Sequence, residues 1–357
     1  MAVAAGRAEA APRVEARGVG PFAALGALAF LAGALVVGLA LGPVHVGLGA
    51  IVRSALAYVP GLHVRQPLDA VDRAVLWQLR APRVALAALV GGMLAVAGSA
   101  YQGVFRNPLA DPYLLGVAGG AGLGATLAIV YGAAAAAGNG WTLPLAAFGG
   151  AIAAVVATYV LGRSAGAAQT TGALVLAGVT VATFTAALQT FVQQRHTDVL
   201  QNVYSWLLGG FSTSTWSDVA VCAPYIAASS LVLVLHRRVL DVLSLGDDEA
   251  ASLGVDVARA RLAIVVAATL GTAAAVSVSG LIAFVGIIVP HTIRLLVSTS
   301  YRAVVPLSLV AGAGFLVLAD VLARTVLSPA ELPIGVVTAF CGAPFFAVVL
   351  RTSRSGR

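Results

Sequence analysis

Leu243-Ser-Leu-Gly-Asp-Asp-Glu-Ala-Ala-Ser-Leu-Gly-Val255 is a polar island with three adjacent acids, flanked on both sides by long apolar runs. Gly246 is expected to take the left-handed conformation that closes the preceding turn. Asp247, Asp248 and Glu249 suit the first turn of a helix, where carboxylates offset exposed N–H groups and the dipole. Ala250–Leu253 supplies a turn or two, and Gly254 stops it. The reading is a short helix lying across a membrane face between two spanning helices. Residue chemistry alone allows either a solvated loop or an element presented to another protein.

The rest of the chain explains why that island matters. Of 357 residues, 60% are hydrophobic and 10% charged, where a soluble domain carries about 25% charged residues. The chain therefore reads as an all-α polytopic membrane protein. Cys222 and Cys341 both lie in apolar runs, which supports neither a disulfide framework nor a thiolate metal site. The net charge of +7 records arginines retained on the cytoplasmic side of a bilayer, and no nucleic-acid partner is expected. All 21 basic residues are arginines. A Walker A loop needs a lysine to reach the β- and γ-phosphates, so any ATPase driving this protein is another polypeptide.

About ten transmembrane helices follow from hydropathy. They are expected near Phe22–Gly42, Arg83–Val104, Leu114–Ala136, Leu143–Leu161 and Gly172–Val192, then near Ser217–Leu235, Leu262–Ser279, Gly280–Val297, Ala303–Leu322 and Pro333–Leu350. Ser277–Gly280 reads as a tight turn or a kink. Residues 1–20 form a tail, 21–351 the transmembrane domain with a cytoplasmic segment at 237–258, and 352–357 a second tail. Pro43–Arg80 reads as a mixed loop. With both termini inside, 14 arginines fall on the cytoplasmic side against 7 outside, which sets the orientation and puts the island in the cytoplasm. The outer arginines, among them Arg80, Arg83 and Arg324, are the exception.

Two more motifs stand out. In Tyr101-Gln-Gly-Val-Phe-Arg-Asn-Pro-Leu-Ala-Asp-Pro-Tyr-Leu-Leu-Gly116, Pro108 and Pro112 break helical continuity and Asn107 is placed to bond freed backbone groups. In Gly280-Leu-Ile-Ala-Phe-Val-Gly-Ile-Ile-Val-Pro-His-Thr-Ile-Arg294, Pro290 is expected to kink a span and free carbonyls. His291 has no second ligand at helical spacing, so interfacial hydrogen bonding is preferred over metal ligation. Asp320, well inside a span, is assigned an i,i+4 pair with Arg324.

The phrases Gln78-Leu-Arg-Ala-Pro-Arg83, Asn107-Pro-Leu-Ala-Asp-Pro112, Leu245-Gly with Leu253-Gly-Val255, Phe284-Val-Gly with Val289-Pro-His291, and Glu331-Leu-Pro-Ile-Gly-Val-Val337 occur in one order. From about Arg73 to Leu350 the chain resembles the FecCD-type permeases of type II ABC importers for iron–siderophore complexes, haem and cobalamin. The resemblance implies the type II ABC importer permease fold with an inverted repeat, spans two to five against seven to ten. It implies a second permease subunit as homodimer or close heterodimer partner, two ATP-binding cassette ATPase subunits, and an extracytoplasmic substrate-binding protein. The setting would be the plasma (inner) membrane of a prokaryote, within the lipid bilayer.

By the same resemblance, Gly246, Asp247, Asp248, Ala250, Leu253 and Gly254 form the ATPase-coupling element. Arg80, Arg83 and Arg324 dock the binding protein, a task suited to a planar, permanently charged fork. Asn107, Pro108, Pro290 and His291 are candidates for the gate or translocation path. No metal site, catalytic residue or cofactor is expected on this chain; ATP and Mg belong to the partner ATPase. The implied cargo is a metal chelate, an iron–siderophore complex first, haem or cobalamin otherwise. An ion-coupled secondary transporter is the rival of another class, but it needs several acids at mid-membrane where only Asp320 qualifies. An intramembrane enzyme lacks any catalytic cluster.

Overall fold

The computed structural model describes residues 18–42, 46–57, 66–132, 140–164 and 171–354. The tails before 18 and after 354, and Arg65, lie outside them. The described chain is helical: α1 (Pro21–Ala40), α2 (Leu48–Leu56), α3 (Ala70–Ala74), α4 (Ala81–Val104), α5 (Val117–Val130), α6 (Thr142–Ser164), α7 (Thr171–Arg195) and α8 (Leu200–Leu207). Then come α9 (Trp216–Leu235), α10 (Arg237–Leu243), α11 (Asp247–Ser252), α12 (Val257–Ser279), α13 (Val285–Leu296), α14 (Tyr301–Thr325) and α15 (Ile334–Arg354).

Ten of these are apolar helices that match the expected spans. Seven are long enough to cross a bilayer by length and composition, and α5, α13 and α15 carry shorter apolar stretches. The two series expected to form the repeat resemble each other in helix length. The series α4 to α7 runs 24, 14, 23 and 25 residues, and α12 to α15 runs 23, 12, 25 and 21. In both series the short second helix starts after a left-handed residue, Gly116 in one and Phe284 in the other.

Boundaries moved where local chemistry outweighed hydropathy. The region 43–80 is not a plain loop: α2 and α3 lie in it, and a π-helical turn over Val75–Arg80 runs from α3 into α4. Asp69 caps α3 by accepting the Asp72 N–H, so that helix starts well before Arg83. Nor is Gly280–Val297 one span. Residues 280–284 are non-helical, with positive φ at Gly280 and Phe284.

That irregular segment is tolerated because the loop after α4 satisfies it. The Tyr113 hydroxyl donates to the Ile282 carbonyl (2.9 Å) and accepts from the Ile282 N–H (3.0 Å). Non-helical backbone in a membrane protein survives where protein supplies such partners.

Helix α4 is the centre. Its spanning stretch is 83% buried, against 11% for α1 and 17% for α7. Glycines let its backbone touch neighbours: a Cβ on Gly98 would lie 2.0 Å from the Gly286 carbonyl of α13, and one on Gly91 2.3 Å from Gly312 O of α14. With little hydrophobic drive between helices in lipid, such close packing is what holds them together.

Candidate functional site

Polar side chains gather at two opposite ends of the bundle. At the island end, α11 forms as expected but by a different route. Gly246 is not left-handed; it sits at φ 145°, ψ 161° as the N-cap of α11, a region essentially confined to glycine. A Cβ there would run into the Glu249 carboxylate. The stop is as read: Gly254 is left-handed at φ 82°. Its N–H bonds Ala251 O and the Val255 N–H bonds Ala250 O, the paired closure of a Schellman turn.

The acids do more than start the helix. No side chain caps α11. Asp247 instead accepts two hydrogen bonds from Arg261 Nη2 at the start of α12, at 2.9 and 3.0 Å. It accepts a third from Arg106, just past α4, at 3.2 Å. Asp241 on α10 similarly takes the Ser300 hydroxyl and the Tyr301 N–H at the start of α14. The island is thus tied to the ends of α4, α12 and α14. Ala250 is completely buried and serves as the anchor of α11, so it is not an outward contact. Leu245 and Leu253 are the exposed apolar side chains, Leu253 at 63%.

The gate candidates do not form one cluster. Asn107 accepts the Leu109 N–H at 2.9 Å, and it lies with Pro108 on the exposed loop after α4. Nearby Asp111 accepts the Tyr113 N–H, yet burial raises its pKa to about 6. Pro290 sits inside an unbroken α13. The carbonyl left without its helical donor is Gly286 O, and Gln102 Nε2 of α4 fills it at 3.1 Å. Arg294 donates to the Gln102 carbonyl oxygen and lies over the Tyr301 ring. The proline thus couples α13 to α4. Gln102 was missed in the sequence, although it lies within the motif that ends α4.

At His291, Nε2 is buried without a hydrogen-bond partner among the described residues, and the ring packs edge-on against Phe345 of α15. The aromatic α15 face makes that environment apolar.

At the opposite end, Arg80, Arg83 and Arg324 do converge, but they point inward. Arg83 is gripped on both sides: by Asp320 at 2.9 to 3.1 Å and by Glu331 at 2.8 and 3.0 Å. Arg80 donates to Leu39 O and Ala40 O, and Arg324 donates to Gly38 O. These are the last carbonyls of α1, the negative end of its dipole. Asp320 is 1% exposed and its closer partner is Arg83; the expected pair with Arg324 is longer, at 3.5 Å. Arg80 and Arg324 are buried and Arg83 shows a 12% rim. Sequence reasoning paired Asp320 with Arg324 but placed Arg83 as an open fork, because it could not see Asp320 and Glu331 reaching Arg83 from α14 and the turn after it.

The match to the FecCD transport family runs over residues 27–352. The chain belongs to that family. It is 40% identical over 329 residues to the uncharacterised ABC transporter permease protein YvrB of Bacillus subtilis, covering 92% of this chain and 93% of that one. It is 38% identical over 296 residues to the cobalamin import system permease protein BtuC of Halobacterium salinarum, covering 83% and 78%. A solved structure described as an inward-facing conformation of a metal-chelate type ABC transporter superposes with a TM-score of 0.81 at 30% identity, covering 93% of this chain and all of that one. The protein is therefore a multi-pass ABC importer permease of the FecCD family, a transport subunit.

Proposed function

We propose that this chain and a second permease subunit enclose a path that carries a metal chelate into a prokaryotic cell. An iron–siderophore complex is the first choice of cargo; haem and cobalamin are the alternatives. Two separate ATPase subunits hydrolyse ATP, and an extracytoplasmic binding protein delivers the cargo. Both termini and the island lie in the cytoplasm, as the distribution of arginines favours.

The observation that carries this reading is the three-way tie of the island. A short helix with exposed Leu245 and Leu253 presents an apolar contact, while Asp247 and Asp241 fasten it to α4, α12 and α14. Displacement of α11 by a closing ATPase would act directly on the ends of α4 and α12, and on α14 through the adjoining α10. From α4 it passes to α13 through Gln102 and Gly286. Helix α7, which exposes Thr180, Thr183, Thr190 and Gln194 beside Leu176, Val179 and Phe184, would supply a mixed polar and apolar wall for the path between the two subunits.

Docking of the binding protein takes a specific form here. Arg83 is already paired with Glu331 at the rim, so an incoming carboxylate would have to exchange with Glu331. Arg80 and Arg324 would position Arg83 from behind.

The test is transport by the chain reconstituted in liposomes with its ATPase subunits and binding protein. Leu253→Asp should leave ATP hydrolysis running while uptake falls at least about tenfold, since a carboxylate is driven into an apolar contact. Full uptake by that variant would remove the coupling role. Uptake on an ion gradient with no ATPase present would overturn the importer reading itself.

A further inference from the structure

A second feature of the island end lies beside the coupling helix α11. Between α6 and α12 runs an apolar groove in two joined parts. The part next to the island encloses about 330 Å³ and the deeper part about 230 Å³. Val155, Tyr159, Leu262 and Val265 line both. The deeper part adds Val156, Val266 and Leu270, all exposed along two spanning helices. Its open side is thus at bilayer depth, where an acyl chain is the available apolar occupant.

The mouth is charged. Arg163, in the last turn of α6, lies over the Tyr159 ring at 5.7 Å and donates to its hydroxyl at 3.4 Å. Arg261 holds Asp247 with Nη2, while its Nε is buried without an acceptor. Arg163, Arg261 and Asp247 all border the groove, and Arg106 binds Asp247 from beside it. Among the side chains that line the mouth, two arginines against one carboxylate leave one positive charge where a headgroup would sit. Asp248 and Glu249 are on the island but do not line the groove, and Asp256 is paired with Arg259.

We infer that this groove binds one anionic phospholipid of the cytoplasmic leaflet, phosphate at Arg163 and Arg261, acyl chain along Val156 and Val266. An apolar slot alone would accept any lipid, and arginines alone any anion. Their continuity selects a molecule that has both parts, as basic pockets between spanning helices do. The site abuts Asp247 and Ala251 of α11, so the lipid would brace the same helix the ATPase is proposed to move. The inference needs only that α6 and α12 cross the membrane, and it stands apart from the cargo reading.

Native mass spectrometry of the purified full chain, with equal phosphatidylglycerol and phosphatidylcholine, reads it directly. The wild type should retain one phosphatidylglycerol with a preference on the order of tenfold, the scale set by one or two headgroup arginines. Arg163→Gln should abolish most of the preference. Val156→Trp fills the slot without touching charge, and it should lower retention of the lipid altogether. Arg259→Gln, exposed and outside the groove, should change neither.

Equal retention of the two lipids would overturn the proposal. So would equal losses in Arg259→Gln and Arg163→Gln, which mean diffuse surface charge. If millimolar inorganic phosphate displaces the phosphatidylglycerol completely, the site is for a free anion. If added ATPase subunit displaces it, the groove is a protein contact. A groove filled by a second copy of this chain would appear as lipid-free dimer; each of these results refutes it.

Discussion

The two polar ends of this permease use the same chemistry, arginine on carboxylate, for opposite purposes. At the island end Asp247 is 43% exposed and its pairs with Arg106 and Arg261 sit in reach of water. At the other end Asp320 is 1% exposed, and Arg83, Arg324 and Glu331 crowd around it. Exposed pairs contribute about 0–1 kcal/mol each and are readily exchanged. A buried carboxylate removed from its arginines leaves uncompensated charge. One end is held by exchangeable pairs, as the proposed coupling role requires; the other is a fixed point, closing α1, α4 and α14 together.

The strongest way to break that contrast is a matched pair of variants. Asp320→Asn should cost about 3–5 kcal/mol, the loss typical of breaking a buried pair from one side. Asp247→Asn should cost about 1 kcal/mol or less and act on ATP-coupled uptake instead. Thermal unfolding in detergent distinguishes them; equal losses would erase the distinction.

Between the ends, Gln102→Leu tests the link across α4 and α13. The Gly286 carbonyl and Arg294 both lose a buried partner, which should cost about 2 kcal/mol. ATP-driven uptake should fall more than in a Leu substitution at an exposed site. Wild-type unfolding and uptake would show that Pro290 needs no such partner.

The smallest effect belongs to Glu331→Gln, at the half-exposed edge of the buried cluster. Stability should change by less than about 1 kcal/mol. Binding-protein affinity at low salt should rise a few-fold, because Arg83 no longer has a competing carboxylate. Unchanged affinity would detach Arg83 from docking and leave the cluster as structure only.

Much of the fold is legible in the sequence because a bilayer allows few solutions. Ten apolar runs of this length, without the alternation of a barrel strand, must become helices to satisfy their backbone groups in lipid, and ten apolar helices are found among the described residues. The island's Gly254 stop and the Asn107 turn were readable as well, both being settled by neighbours within a few residues. The region 43–80 was not, because short interfacial helices lack a long apolar run. Residues 280–284 were misread for the opposite reason: their apolar composition hides a break that Gly280 alone hints at.

The site divides along the same line. The sequence alone determined the order and spacing of the apolar runs, the position of the island, and the lack of a Walker A lysine, since all 21 basic residues are arginines. Each rests on composition or on contacts a few residues apart. Only the tertiary structure decided what the charged residues do. Asp320 reaches Arg83 across 237 positions and Glu331 across 248, turning three apparent surface arginines into a buried lock. Asp247 meets Arg106 across 141, turning a helix start into a clamp. Pairing energy depends on distance and on burial, and neither is written in the order of residues.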